Sequence, residues 1–338
     1  MTATAFHKYL KITTLAIISL AFFNYPASAS GGEDEEFNPA ELINHHILDS
    51  HEWHLWDGHY GTIPLPIILY SSDRGIEVFS SANFRDEEHN PVKYNGYKLE
   101  HEHIIPVDDS RSVLDFSITK NVAFLFINSA VLLFVFLMVA RGYKKNVGKA
   151  PSGLQSLFEP IILYVRDEVV KPNVGPKYER YLPYLLTLFF FIWFGNLLGL
   201  LPGAANLTGN IAVTMVLALI TFFITNFSGN ANYWKHIFNT PGVPAALKPI
   251  IVPVEIIGVF TKPFSLMIRL FVAITAGHIV ILSLISLAFI FSSFAVGIGS
   301  TLLVVFINII ELIVATIQAY VFTMFSSLYI GLAIEEHH

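Results

Sequence analysis

The sequence predicts an all-α polytopic membrane protein with five transmembrane helices, including a long tilted pair at the C-terminus. An interfacial amphipathic helix and a small N-terminal periplasmic segment complete the predicted architecture. Of the 338 residues, 54% are hydrophobic and only 14% are charged, which exceeds the apolar content of soluble domains. Apolar runs of about 20 residues, the length that spans a bilayer, recur after residue 120.

Residues 1–29 have the pattern of a signal peptide. Lys8 and Lys11 precede a short apolar stretch at 12–23, and Ala27-Ser28-Ala29 fits the small-x-small rule for signal peptidase. The apolar stretch is short for a transmembrane helix, which is the alternative interpretation. We therefore predict cleavage after Ala29 and export of the next segment in a bacterium.

Residues 30–117 form a segment of different character, predicted to be small, soluble and partly β. Turn signals such as Tyr94-Asn95-Gly96 separate short apolar runs at 63–70 and 75–80. Because the segment follows a signal peptide, we expect it to be periplasmic. Its boundary with the membrane part, residues 118–338, is placed where the first long apolar run begins.

The same segment is rich in histidine. It contains His45, His46, His51, His54, His59, His89, His101 and His103. Imidazoles at this density can bind zinc, so a periplasmic metal-capture protein with a membrane anchor is one alternative. However, His51-Glu52-Trp53-His54 is one residue short of the two-histidine zincin motif, and we expect no specific metal site.

The membrane part begins with an apolar run at 122–140, and four basic residues within 141–149 place the end of this run in the cytoplasm. The spacing of apolar residues over 152–170 favours an amphipathic helix at the interface. Further spans are predicted at 181–201 and 211–228.

Two longer apolar segments, 251–292 and 299–334, end the chain, with a small-residue turn predicted around Gly297-Ile298-Gly299-Ser300. Each is longer than a perpendicular span requires, so we expect tilt, or bends at Pro253 and Pro263. Five spans with an outside N-terminus place the C-terminus in the cytoplasm, in the bacterial inner membrane.

Arg269 is a cation inside one of these apolar segments. A guanidinium cannot lose its proton, and it costs about 3 kcal/mol at bilayer depth on insertion scales. At 100° per residue, Ser265 shares its helix face and His278 lies on the opposite face. Ionisable residues within membranes are functional by default, so we predict that Arg269 serves a group outside its own helix.

Polar residues also form a stripe on the last segment. Asn308, Glu311, Ala315 and Gln318 recur at helical spacing. Together with His278 and Glu255, they offer groups that could pass protons. Three alternatives stay open. The two amides could simply join helices, Glu311 and His278 could be an inert buried pair, and Arg269 could be a counter-ion to Glu255 or Glu311.

Composition excludes several classes of function. The chain has no cysteine, so disulfides, zinc–thiolate sites and thiol catalysis are ruled out. The net charge is only −6 and no basic patch carries interleaved aromatic residues, which argues against nucleic acid as a partner. No Gly-Lys-Ser/Thr phosphate loop is present, so we expect no nucleotide and no other cofactor.

Residues from about 120 to 334 resemble subunit a of the F-type ATP synthase membrane sector. The resemblance rests on Glu255, Lys262-Pro263-Phe264-Ser265-Leu266-Met267-Ile268-Arg269-Leu270-Phe271, Ala276-Gly277-His278, Glu311 and Gln318-Ala319, and on Tyr181-Leu182-Pro183 and Asn196-Leu197-Leu198-Gly199-Leu200-Leu201-Pro202. It does not reach the histidine-rich segment.

The resemblance implies a stator subunit that is no enzyme on its own. Its expected partners are the ring of c subunits, the peripheral-stalk b subunits and membrane lipid, and its ion is expected to be H⁺, although in this family the ring decides between H⁺ and Na⁺. Arg269 matches the essential arginine, His278 and Glu311 match channel residues, and Gln318 matches the partner opposite the arginine. We add Glu255 and Asn308 as channel candidates.

The chain departs from the family pattern at two places. Many bacterial members carry Glu at the position of His278 and His at that of Glu311, and Asn is common where this chain has Ala273. One imidazole and one carboxylate are kept, so we expect function to be intact. A stand-alone secondary transporter or ion channel is the alternative, but it predicts internal repeats that the sequence does not convincingly show.

Overall fold

A computed structural model describes most of the chain after residue 47. The described residues are 48–54, 61–86, 91–100, 102–108, 111–201, 203–239, 246–291 and 293–335, with Pro39 and Pro244. The predicted signal peptide and His45, His46, His59, His89 and His101 lie outside them.

The N-terminal segment contains short antiparallel strands, as its turn signals predicted. They are β1 (Glu52–His54), β2 (Thr62–Pro64), β3 (Pro66–Ser71), β4 (Gly75–Ser80), β5 (Tyr97–Glu100), β6 (His103–Pro106) and β7 (Val113–Asp115). β1 pairs with β2, β3 lies between β4 and β7, and β5 pairs with β6. The predicted turn at Asn95-Gly96 is confirmed, since both residues adopt positive φ angles of 55° and 83°.

The rest of the described chain is mainly helical. They are α1 (Lys120–Lys145), α2 (Leu154–Tyr164), α3 (Lys171–Val174), α4 (Tyr178–Gly199), α5 (Ile211–Ser228), α6 (Ala231–Phe238), α7 (Lys248–Phe291) and α8 (Phe294–Ile334). Five helical stretches are long and apolar enough to cross a membrane: α1, the stretch Leu154–Gly199, α5, α7 and α8. This confirms the prediction of a mostly helical, multi-pass membrane protein.

The break between the two last helices lies earlier than predicted. We expected a turn around Gly297-Ile298-Gly299-Ser300, but α8 already begins at Phe294, and the Gly297 amide donates to the Ser293 carbonyl at 2.9 Å. The prediction was wrong because small residues favour turns in water but are common inside membrane helices. Ser293, in an extended conformation, is the N-cap. Pro253 and Pro263 both lie inside α7.

The predicted amphipathic helix over 152–170 is present as α2, followed by a π-helical stretch at Val165–Val170. Its placement at the membrane interface stays a prediction. Phe158 of α2 and Val165 and Val169 of the π-helical stretch are buried in the core. No sequence pattern predicted α6, a short helix in the connection before α7.

An aromatic cluster joins α1, α2 and α4. The ring of Phe136 lies 4.6 Å from that of Phe190, and Phe158 lies 6.0 Å from Phe190 and 5.9 Å from Phe194 between ring centroids. Aromatic pairs at these separations contribute beyond the area they bury. The cluster fixes α4, which in turn packs against α8.

Helix α8 also approaches the backbone of α3 very closely at Gly331. A methyl group there would overlap the carbonyl oxygen of Asn173, and backbone atoms cannot move aside cheaply. We expect Gly331→Ala to destabilise the protein by about 1–3 kcal/mol, the usual cost of overpacking. The measurement is the thermal unfolding temperature of the solubilised complex. Gly258→Ala is the control, since a Cβ at Gly258 meets nothing within 4 Å, and an equal loss in both variants would refute the prediction.

Candidate functional site

The long helices α7 and α8 bring His278 and Glu311 together. The imidazole Nδ1 lies 2.8 Å from Glu311 Oε1 and 3.2 Å from the carbonyl oxygen of Ile274. The side chains are only 15% and 3% exposed, respectively. An imidazole and a carboxylate in direct contact interact strongly, so they are treated as one unit. We call them the His278–Glu311 couple.

Gly277 makes room for this couple. A Cβ at Gly277 would overlap the carboxylate of Glu311, so only glycine lets α8 place this side chain against α7. The second carboxylate oxygen, Oε2, is buried and has no hydrogen-bond partner among the described residues. Unpaired buried oxygens are costly, and they cluster at sites where function requires a free acceptor.

Arg269 also lies on α7, but no carboxylate of the described residues pairs with it. Its Nη2 donates to Ser265 Oγ at 3.4 Å, and the guanidinium carbon lies 4.4 Å from the ring centroid of Phe325 on α8. Nη1 is buried and has no hydrogen-bond partner in the described part of the chain. The described residues also include no ion pair to Arg269, so a role as counter-ion to Glu255 or Glu311 has no support.

Arg269 and His278 were predicted on opposite faces of α7, but both side chains contact α8. The arginine side chain is long and leans toward the helix N-terminus, so its end can contact a helix that its Cβ does not face. The shared face of Arg269 and Ser265 is confirmed by their hydrogen bond.

The titratable groups of α7 lie on both sides of Arg269 along the helix axis. His278 is nine residues ahead, about 14 Å at about 1.5 Å per residue, and Glu255 is 14 residues behind, about 21 Å. Glu255 is half-buried. Between Glu255 and Arg269, the ammonium of Lys262 lies 5.5 Å from the ring centroid of Tyr329 on α8.

A small cavity lies on the Glu255 side of Arg269. Its polar lining consists of Thr221, Thr225, Asn226, Tyr233, Lys262 and Tyr329. The hydroxyl oxygen of Thr225 is buried there without a hydrogen-bond partner among the described residues. No sequence pattern predicted this cluster, because its members come from four helices and no single member is unusual for its helix.

The remaining predicted site residues follow the stripe expected on α8. Glu311 and Ala315 are buried, whereas Asn308 and Gln318 are half-buried. In the described structure, neither of these two amides hydrogen-bonds to Arg269, although Gln318 was expected opposite it. The prediction that the stripe faces protein or water is confirmed at its buried members.

Two polar residues that the sequence analysis did not select connect α4 with α8. Asn196 Nδ2 donates to the carbonyl oxygen of Ala315 at 3.2 Å, and Thr208 Oγ1 donates to Asn196 Oδ1 at 2.7 Å. Asn196 is 4% exposed and Thr208 is fully buried. The sequence signal that could have predicted this contact is the amide of Asn196 within an apolar span, because such amides commonly join membrane helices.

Two of the three described histidines of the N-terminal segment, His51 and His54, make contacts within that segment. His51 is buried and its Nε2 lies 3.2 Å from Asp115 Oδ2, while His54 contacts Thr62. Burial would raise the pKa of Asp115, but hydrogen bonds from His51 and Ser117 outweigh it and lower this pKa to about 2. Asp115 therefore stabilises the folded segment above its ordinary pKa, and this contribution is lost as the pH falls toward 2. Within the described ranges, no three His, Asp or Glu side chains form a group that could hold a metal ion.

Helices α7 and α8, both long and apolar enough to cross a bilayer, thus carry a buried imidazole–carboxylate couple and a cation that has no ion pair among the described residues. This is the architecture of an ion-translocating membrane subunit. Residues 122–331 match the family of the ATP synthase A chain, and residues 42–124 match a domain of unknown function (DUF8433). The chain belongs to the ATP synthase A chain family, as subunit a of the F-type ATP synthase, and it acts as a stator subunit of the membrane sector.

Several relatives support this membership. The chain is 40% identical over 315 residues to ATP synthase subunit a 2 of Chlorobium luteolum, which covers 91% of this chain and 80% of the relative. It is 49% identical over 227 residues to ATP synthase subunit a of Pelodictyon phaeoclathratiforme, covering 65% and 66% of the two chains. It is 37% identical over 320 residues to ATP synthase subunit a of an Anaeromyxobacter species, covering 92% and 74%.

Proposed function

We propose that this stator subunit forms two offset proton half-channels against a rotating ring of c subunits, with Arg269 between them. The observation that carries the proposal is the unpaired guanidinium, whose buried Nη1 has no partner among the described residues. Arg269 is half-buried, and the buried Nη1 of a cation is satisfied best by an anion, which no described residue supplies, so we assign this role to a carboxylate outside this chain. A ring carboxylate passing α7 would supply it.

The fixed charge would then drive the release of a proton from each arriving ring carboxyl group. At about 4 Å and an effective dielectric constant of about 20, the cation favours the charged carboxylate by about 4 kcal/mol. This corresponds to a factor of about 1000 in the ionisation equilibrium. Because guanidinium does not itself accept or release protons, it also blocks direct transfer from one half-channel to the other.

The two half-channels are assigned to the two sides of Arg269. The His278–Glu311 couple, with Asn308 one turn away on α8, serves the side of the α7–α8 turn. Gln318, about two turns beyond Glu311 on α8, is assigned to the region beside Arg269. Glu255 and the polar cavity at Lys262 serve the other side. A proton that enters by one half-channel must be carried on a ring carboxylate through most of a rotation before it leaves by the other. The membrane potential, worth about 2.3 kcal/mol per charge at 100 mV, therefore drives rotation.

The basic residues at 141–149 orient the subunit in the bacterial inner membrane. They place the C-terminus and the Glu255 side toward the cytoplasm, and the N-terminal segment and the His278–Glu311 couple toward the periplasm. The c-ring and the peripheral-stalk b subunits are the proposed partners. Membership of the ATP synthase A chain family disfavours a stand-alone transporter.

Cysteine accessibility tests this assignment, because the chain has no cysteine of its own. In assembled complexes, a membrane-impermeant thiol reagent should label Glu255→Cys from the cytoplasmic side and Asn308→Cys from the periplasmic side. The adjacent apolar positions provide controls: Val254→Cys and Ile309→Cys, whose side chains are 62% and 56% exposed on the isolated subunit, should react from neither side. Labelling of both polar positions from the same side would contradict two opposed half-channels.

A further inference from the structure

The N-terminal segment rests directly on the connection between α4 and α5, residues 203–210. The indole Nε1 of Trp53 donates to the carbonyl oxygen of Gly203 at 2.7 Å. The Trp53 ring packs edge-on against Phe124 of α1, with 6.2 Å between centroids. Ala205 and Leu207 are buried in the same cluster. The loop is therefore held between the segment and the membrane helices.

A carboxylate of the segment provides a second attachment. The Asp49 carboxylate accepts hydrogen bonds from Thr119 Oγ1 at 2.8 Å and from the backbone N–H of Asn121 at 3.0 Å, at the start of α1. Asn210 Nδ2, at the start of α5, donates to the same carboxylate at 3.5 Å. An anion is favourable at helix N-termini, so Asp49 holds two helix starts together beside the loop.

The loop in turn contacts the helices that carry the His278–Glu311 couple. Through Asn196, Thr208 reaches the carbonyl oxygen of Ala315, one turn from Glu311. Ala205 packs against Gly199, where an added Cβ would lie 3.4 Å from the Ala205 carbonyl oxygen. The loop is thus connected to the turn of α8 that carries Glu311, and Glu311 in turn contacts His278.

We propose that the N-terminal segment braces the 203–210 loop and thereby sets the geometry of the His278–Glu311 couple, with Trp53 as the positioning residue. This rests on the proposed function, in which the couple passes protons. Buried polar contacts have few alternative arrangements, so displacement of the loop is transmitted to α4 and α8. Glu311 is the titratable group in contact with His278, and the described residues of α4 and the loop contribute amide, hydroxyl and backbone groups to the connection.

The test is Trp53→Phe in the whole complex. Phenylalanine keeps an aromatic ring against Phe124 but cannot donate to Gly203. We expect hydrogen exchange in peptides covering 203–210 to accelerate by a factor of about five, the effect of one ordinary hydrogen bond. ATP synthesis in inverted vesicles should show a shifted midpoint in its dependence on lumenal pH, with ATP hydrolysis unchanged. Trp234→Phe, on α6 at the opposite end of the helices, should change neither readout.

The outcomes separate the brace from the proposed function. An unchanged pH midpoint per assembled complex, with or without faster exchange, overturns the brace. Glu311→Gln is measured in the same vesicles, and wild-type synthesis by that variant would mean that the proposed function itself has failed. If Trp53→Phe does not assemble, Asn210→Ser replaces it under the same criteria, since serine still caps α5 but loses the amide that reaches Asp49.

Discussion

Replacing Arg269 with alanine is expected to abolish ATP-driven proton pumping while the complex still assembles. Within the described chain, the guanidinium makes one long hydrogen bond to Ser265 and stacks on Phe325, so the fold loses little when it is removed. What is lost is the fixed cation offered to the ring. Because this cation favours the charged ring carboxylate by about 4 kcal/mol, its absence should slow proton transfer by a factor on the order of 1000, and pumping should then be too slow to detect.

Acidification of inverted membrane vesicles on addition of ATP measures this effect. Arg180→Ala is the matched control, because Arg180 also lies against an aromatic ring, 5.8 Å from the centroid of Tyr181, but is exposed near the start of α4. The control should pump at the wild-type rate. Pumping by Arg269→Ala at that rate, per assembled complex, would refute the proposed role.

The sequence predicted the membrane helices well because the bilayer imposes a simple requirement. A span needs about 20 apolar residues whose backbone groups are satisfied within the helix, and α1, α5, α7 and α8 meet it visibly. The same physics marked Arg269, His278 and Glu311, since an ionisable group at bilayer depth has a cost that function must offset. Boundaries were less certain, as the misplaced turn before α8 shows.

Contacts between distant parts of the chain could not be predicted in the same way. Glu311 and His278 were selected separately, but their 2.8 Å contact depends on the register of α7 against α8 and on the missing side chain of Gly277. Asn196 reaches a carbonyl 119 residues away. The hydrogen bond from Trp53 to Gly203 joins two segments that no periodic pattern relates.

Swapping the two side chains between positions 278 and 311 tests whether His278 and Glu311 act as one unit. His278→Glu alone would place two carboxyl groups in contact at a site where Glu311 is 3% exposed, so one would have to stay protonated. Glu311→His alone would leave two imidazoles and no carboxylate. The double swap, His278→Glu with Glu311→His, restores one group of each kind in contact.

We therefore expect the double swap to pump faster than the product of the two single effects predicts, by a factor of about ten. The measurement is the initial rate of ATP-driven acidification, normalised to assembled complex, for the wild type, both single variants and the double variant. Gly277 is kept in all four, because a Cβ there would displace the residue at position 311 and hide the coupling. Effects that multiply independently would mean that the two side chains touch without sharing a proton, and the periplasmic path would then have to run through one of them alone.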